Sequence, residues 1–296
     1  MWIPIVLLAA AAQTVRNAAQ KDLVPAAGTL AATSVRFVYG LPFALLALAL
    51  VFGSAGVALP TPGAAFVAWV CGSALAQLVA TGLLIAAMQR RSFVVALAYS
   101  KTEVLQVAAF SLVLLGEPVG PQSLGAIVLA SIGLWLLAAP DAGTPADSTG
   151  RWATAWMGIG SGAGFALSAV GYRAAAQSLG PFQPWQSAAY VLVWAQAVQS
   201  VAICALLLCW RPAALRATLV AWRVSTLAGA FGALASFGWF TAFALRNAAD
   251  VRTLALVEVL YGYGVSRCFF GERVGRREAV GIGLLVLGIA VISAQW

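Results

Sequence analysis

Between positions 30 and 52 the chain carries one charged residue, Arg36, and runs of this kind recur along nearly all of its 296 residues. An uncharged stretch of roughly 20 residues is what an α-helix needs to cross the hydrocarbon of a bilayer. Only 9% of the residues are charged while 62% are hydrophobic; a soluble globule typically carries ~25% charge, so lipid must solvate most of this surface. Strand alternation is absent, which argues against a barrel. The spans read as 3–20, 30–52, 64–88, 93–115 and 122–139, then 152–177, 185–210, 222–245, 251–270 and 278–295. The expected fold class is an all-α polytopic membrane protein of ten transmembrane helices.

The stretch 92–133 occurs twice. Moved by 155 positions without a gap, Glu103 falls on Glu258, Leu105 on Leu260, Ser111 on Ser266, Gly116-Glu117 on Gly271-Glu272, Val119-Gly120 on Val274-Gly275 and Gly133 on Gly288. Repetition at half the chain length predicts two similar halves, each incomplete alone. The polar stretch 140–151 reads as the linker, giving a first repeat at 1–139 and a second at 152–296. Because each repeat has five helices, an odd number, consecutive copies enter the membrane in opposite directions, as an inverted repeat.

The net charge of +8 does not argue for nucleic acid, since the basic residues lie mostly in short connections. One side collects Lys21, Arg90, Arg91, Arg151, Arg211, Arg216, Arg223, Arg273, Arg276 and Arg277, and the other only Arg246 and Arg252. The positive-inside rule then makes the first side cytoplasmic and leaves both termini outside. The expected setting is a multi-pass protein of the bacterial cytoplasmic membrane. Residues 3–12 resemble the apolar part of a signal peptide, but no Lys or Arg precedes them, so the stretch is expected to stay as the first helix.

Charges inside the spans are the functional candidates, because each costs at least ~2.5 kcal/mol at mid-bilayer on insertion scales. Gln13, Arg16, Asn17 and Gln20 share one face of the first helix, either at the headgroups or along an aqueous path. Arg36 lies in the second, ahead of Pro42, which can kink it; it either snorkels or lines a cavity. Gln77 and Thr81 share a face of the third. Lys101 and Glu103, two apart, point ~200° away from each other and must find other partners. Tyr99, Glu103 and Gln106 form a stripe, and Arg173 with Gln177 and Glu258 with Tyr261 echo these features in the second half. We therefore expect Arg16, Asn17, Arg36, Gln77, Tyr99, Lys101, Arg173 and Tyr261 to contact a substrate. A carboxylate in low dielectric can load and release a proton, so Glu103 and Glu258 are the expected proton-coupling pair; the opposing reading clamps each to an arginine as a structural pair.

Gly158, Gly160, Gly162 and Gly164 are expected to let helices approach closely. Cys71, Cys204, Cys209 and Cys268 read as buried free thiols. No metal site is expected, because the chain has no histidine and no cysteine pair with supported ligand spacing. No cofactor is expected either.

The two blocks, Glu103 through Gly-Glu-Pro-Val-Gly to Gly133 and Glu258 through Gly-Glu-Arg-Val-Gly to Gly288, resemble the EamA-type transporters of the drug/metabolite transporter (DMT) superfamily. The resemblance covers nearly the whole chain. It implies ten helices in two inverted repeats and secondary transport, often efflux, of small metabolites or drugs. The family often has a proline in the fourth and ninth helices, whereas 93–115 and 251–270 have none, so the helix break that the resemblance implies has no proline here to make it. Members are also commonly drawn with cytoplasmic termini, against the arginine count.

These features lead to an expected secondary active transporter, an exporter of a small anionic or zwitterionic solute, with proton coupling. Its expected partners are a small-molecule substrate and the lipid bilayer, with no nucleic acid, and it is expected as a monomer or homodimer. A non-transporting receptor or scaffold is the alternative. An intramembrane enzyme fares worse: there is no His-Glu-x-x-His, no Gly-x-Ser-x-Gly and no phosphate-binding Gly-x-x-x-x-Gly-Lys loop. The chain is therefore not expected to be an enzyme.

Overall fold

The structure, a computed structural model, describes residues 1–90, 99–138, 151–261 and 276–294. Among them the regular structure is helical and no strand occurs. The helices are α1 (Trp2–Val38), α2 (Leu41–Ala55), α3 (Ala64–Arg90), α4 (Glu103–Leu115), α5 (Pro121–Ala138), α6 (Arg151–Ser178), α7 (Pro184–Trp210), α8 (Pro212–Val220), α9 (Trp222–Leu245), α10 (Ala248–Leu254) and α11 (Arg276–Ser293). Within the described residues, Ala27–Ala55, Ala64–Ala87, Pro184–Trp210 and Trp222–Leu245 are long and apolar enough to cross a membrane. Glu103–Leu115, Pro121–Leu137 and Ala279–Ser293 are apolar but shorter.

The surface has the pattern lipid demands. Leu8, Val113 and Val201 lie exposed, and Trp152, Trp185, Trp210 and Trp222 are exposed at helix ends, where amphipathic rings meet the headgroup layer. Among the described cysteines, Cys71, Cys204 and Cys209 are free thiols, but none is fully buried as expected: Cys71 and Cys204 are half-buried and Cys209 is exposed. Cys268 and the linker expected at 140–151, apart from Arg151, lie outside the described residues, as does the second Gly-Glu turn.

The first two spans are joined differently from the sequence expectation. Helix α1 runs on through Pro25 and reverses only at Gly28, whose φ of 77° is open to glycine and strained for other residues. Gln20 clasps the two arms by donating to the carbonyl oxygens of Ala32 (2.9 Å) and Thr33 (3.3 Å). Pro42 does not kink a continuous helix. The helix ends at Val38, and Pro42 sits in the first turn of α2, where its missing N–H has no intrahelical acceptor to lose. The sequence also gave no hint that residues 212–220 form a separate short helix, opened by Pro212.

The chain folds as two compact units, one of residues 1–75 and 171–246, the other of 76–170 and 247–296. Each unit draws on both sequence halves, so neither half has a core to itself. In the first unit α9 presents glycines to both arms of α1. A β-carbon at Gly238 would lie 2.8 Å from that of Ala9, one at Gly232 would touch Arg16 and Arg36, and one at Gly229 would meet Tyr39. Trp239 Nε1 donates to Gln13 Oε1 along the same seam at 3.1 Å. Phe66 packs on Tyr190 and Trp194 of α7, with ring centroids 5.3 and 5.7 Å away.

In the second unit α5 and α11 cross at contact distance. A β-carbon at Gly133 would lie 2.6 Å from the Gly281 carbonyl oxygen and 2.7 Å from the Leu285 nitrogen; one at Gly288 would lie 2.8 Å from the Ala126 oxygen and 3.0 Å from the Ala130 nitrogen. Gln122 also reaches the Val291 oxygen. Early residues of α5 thus meet late residues of α11, so the helices run antiparallel. Adding 155 to 133, 126 and 130 gives 288, 281 and 285, so exchanging the two halves maps one set of contacts onto the other.

Gly116 explains the first Gly-Glu turn. It ends α4 with φ 64° in the left-handed region, its N–H bonded to Leu112 O and that of Glu117 to Ser111 O, a pairing that satisfies carbonyls at a helix end. The Glu117 carboxylate then accepts from Asn247 Nδ2 at 3.1 Å, and Asn247 Oδ1 caps α10 through the Ala249 N–H. On α6, Gly160 and Gly164 face Leu83 and Ala80, while Gly162 admits the backbone at Ser100. These glycines serve close packing.

Candidate functional site

The sequence-selected residues divide between the two units. Arg16, Asn17, Arg36 and Arg173 belong to the first unit, whereas Gln77, Tyr99, Lys101, Glu103, Glu258 and Tyr261 belong to the second.

In the first unit, Arg16 is 7% exposed and donates through Nε and Nη2 to Oδ1 of Asn17, which is itself exposed. Arg36 stands in the last turn of α1, its guanidinium 4.3 Å from the Phe37 ring centroid. A β-carbon at Gly232 would lie 3.3 Å from Arg16 Cδ and 3.2 Å from Arg36 Cβ, so the two arginines flank this glycine. Arg16 and Tyr172 both lie near enough to act electrostatically on Arg36. Arg173 is engaged differently: Nη1 donates to the carbonyl oxygens of Phe243 (2.5 Å) and Arg246 (2.7 Å). A cation there neutralises the carbonyl end of α9.

Sequence reasoning missed the face that α7 contributes. Gln196, Gln199 and Ser200 lie at i, i+3 and i+4 and are all buried, a spacing visible in the sequence as polar residues in an otherwise apolar span. Gln199 is satisfied, donating to Tyr172 Oη at 3.1 Å and to Ala74 O at 3.4 Å. Gln196 Oε1 and Ser200 Oγ are buried without a hydrogen-bond partner among the described residues. A β-carbon at Gly40 would come within 3.0 Å of both Gln196 amide atoms and still closer to the Arg36 carbonyl oxygen, which places the Gln196 amide next to the end of α1.

In the second unit the fourth and ninth spans break without proline. Backbone N–H groups of Thr102, Val104 and Leu105 reach back three residues, to Tyr99, Lys101 and Thr102, and those of Leu256, Glu258 and Val259 do the same to Thr253, Ala255 and Leu256. The bond from Val104 to Lys101 and that from Val259 to Leu256 are 155 positions apart. Thr102 Oγ1 also takes the Tyr99 carbonyl at 2.7 Å, a side-chain competitor of the helical ladder.

Four charges meet beside these breaks. Lys101 Nζ donates to Glu258 Oε1. Glu103, 6% exposed, lies 3.0 Å from Arg252 Nε, but the contact is off the hydrogen-bond axis; charge attraction rather than an aligned hydrogen bond holds it. Each repeated glutamate therefore meets a cation from the other sequence half. Arg252 was expected in a connection, yet it stands in the last turn of α10. Gln106 donates to Thr102 Oγ1 and Ile159 O, both at 3.3 Å. Gln77, Tyr99 and Tyr261 are half-buried.

Among the described residues no group of His, Cys, Asp and Glu could hold a metal ion. No family model matches the chain and no curated protein does. Among solved structures it is similar to one described only as "Crystal structure of protein", with a TM-score of 0.74 at 17% identity, covering 99% of this chain and 96% of that chain. A likeness that extensive at so low an identity shows a shared fold from end to end.

Proposed function

We propose that this chain is a secondary transporter of the bacterial cytoplasmic membrane that exports a small anionic or zwitterionic solute. The observation that carries the reading is the burial of Arg16 and Glu103, together with the Lys101–Glu258 pair, in a protein whose helices are apolar enough to cross a membrane. Charges at that depth are expensive and are characteristic of substrate and ion paths. A scaffold would not need so many.

The proposed frame is ten spanning helices in two inverted repeats. The antiparallel crossing of α5 and α11 supports it, since these are equivalent helices of the two halves and inversion makes equivalent helices antiparallel. The resemblance of the Gly-Glu blocks to EamA-type transporters supports the same frame.

Glu103 and Glu258 are the proposed coupling residues. Protonation of Glu103 would release Arg252, and protonation of Glu258 would release Lys101, so one proton would change both a charge and a brace beside a helix break. In proteoliposomes, counterflow of labelled carboxylates and amino acids should exceed that of protein-free vesicles for at least one solute. Absence of exchange by folded protein across such a panel would favour the receptor reading. With a solute in hand, Glu103→Gln and Glu258→Gln are expected to retain counterflow, and at least one should lose uptake driven by a pH gradient, because exchange needs no net proton movement. Full gradient dependence in both would remove the coupling role.

A further inference from the structure

We infer that Arg16, Arg36, Gln196 and Ser200 form a binding site for a carboxylate that carries a hydroxyl or amino donor on the adjacent carbon. The inference rests on the transport reading only for the ligand's purpose; the binding chemistry comes from the first unit itself.

The positive side of the site is the arginine pair. Arg16 and Arg36 approach the same glycine, Gly232, from two arms of one helix. Across the whole unit, residues 1–75 and 171–246, the sequence has one acidic residue, Asp22, and that residue is exposed. Two guanidiniums brought together in such a unit favour an anion, and their planar donor forks match a carboxylate.

The second side is the α7 face. Gln196 is 3% exposed and Ser200 8%, yet Gln196 Oε1 and Ser200 Oγ have no partner among the described residues. Leaving such groups unsatisfied is costly, because they have given up water without a replacement. Ser200 differs from other helix hydroxyls of the first unit, since Thr14, Thr33, Ser34 and Thr241 all return their hydroxyl protons to a carbonyl three or four residues earlier. The Ser200 hydroxyl does not take that local partner. Gln199, one position before it, is already committed to Tyr172 and Ala74, so on α7 the unmet capacity lies with Gln196 and Ser200.

The two sides meet at the end of α1: a β-carbon at Gly40 would lie close to the Arg36 backbone carbonyl and 3.0 Å from both Gln196 amide atoms, and Tyr172, which acts electrostatically on Arg36, accepts from Gln199 of the same α7 face. An acceptor on one side of a ligand and a donor on the other follow directly. The arginines take the carboxylate oxygens, Gln196 Oε1 accepts from the neighbouring hydroxyl or ammonium, and the Ser200 hydroxyl can serve either group. A plain carboxylate would leave Gln196 Oε1 unsatisfied, and a neutral diol would present no carboxylate to the guanidinium forks.

The test uses purified full-length protein in detergent, reading the thermal unfolding midpoint as lactate, alanine, propionate, 1,2-propanediol or chloride is titrated. Lactate or alanine should raise the midpoint saturably, with half-saturation about tenfold or more below that of propionate; the diol and chloride should do little. Gln196→Leu should remove the advantage over propionate while leaving propionate itself unchanged. Arg36→Gln should weaken every carboxylate. Should Gln196→Leu fail to fold, Ser200→Ala, a minimal change in a helix, should still reduce the lactate or alanine response.

Equal responses to lactate, alanine and propionate in the native protein would overturn the site. So would no response to any of them, a response matched by chloride, or discrimination undiminished in both α7 variants. Binding without exchange in proteoliposomes would count against transport and leave the site standing. Exchange without the predicted binding pattern would do the reverse.

Discussion

Lys101→Met will lower the unfolding midpoint of the detergent-solubilised protein sharply, and adding Glu258→Gln will recover most of the loss. The side chains of Lys101 and Glu258 are 14% and 19% exposed, so removing the ammonium leaves a carboxylate with little water to replace it. Breaking a buried pair from one side costs about 3–5 kcal/mol, whereas removing both charges is often close to neutral. Their partial exposure puts the single variant near the lower end, at about 3 kcal/mol. The exchanged pair, Lys101→Glu with Glu258→Lys, should also outperform either single change. A double variant no more stable than Lys101→Met would mean that the two charges act independently. This thermal comparison separates bracing from transport, because it needs no substrate.

The pair also shows where the sequence stops being informative. Lys101 and Glu103 diverge around one helix, so local geometry established that each needs a distant partner, but it could not choose Glu258 for one and Arg252 for the other. Those partners lie about 150 residues away and are selected by how the fourth and ninth spans cross. The helix breaks beside them were hidden for a different reason. Proline is the usual mark of a break, and here i→i+3 backbone bonds, with Thr102 bonded to Tyr99 O, do the work instead. Threonine in an apolar run carries too weak a signal to predict that.

Apolar periodicity and length located most helices closely, α7 and α9 above all, since hydrocarbon thickness imposes the length and Trp185, Trp210 and Trp222 mark the ends. It misread the connection of the first two spans. Lys21, Asp22 and Pro25 look like a loop, yet helical bonding continues to Gly28 because Gln20 ties the second arm back onto the first. Arg16 and Arg36 were legible as charges inside apolar spans, though not as neighbours; Arg16 is buried and Arg36 half-buried. The polar face of α7 was not selected, since that span carries no charge to draw attention to its amides, although the spacing of Gln196, Gln199 and Ser200 was there to be read.

Gly133→Ala should destabilise the protein far more than Gly125→Ala, eight residues earlier on the same helix. A β-carbon at Gly125 meets nothing within 4 Å, while one at Gly133 meets backbone atoms of Gly281 and Leu285 at 2.6 and 2.7 Å. Backbone cannot swing aside as a side chain can, so α5 and α11 must separate, giving up the close contact that holds helices together where lipid supplies no hydrophobic drive. Overpacking of this kind costs about 1–3 kcal/mol, and Gly133→Leu should exceed it. Gly125→Ala and Gly283→Ala, both facing open space, should instead be neutral or stabilise by up to about 1 kcal/mol through helix propensity. Gly288→Ala meets the Ala126 oxygen at 2.8 Å and the Ala130 Cβ at 2.9 Å. Its loss should match that of Gly133→Ala in size, because exchanging the halves maps one contact onto the other. The double variant should lose less than the sum, since a helix pair already forced apart at one end has less contact left to lose at the other. Thermal unfolding of the six variants decides it: strict additivity would make the two contacts independent, and a harmless Gly133→Ala would deny the close crossing altogether.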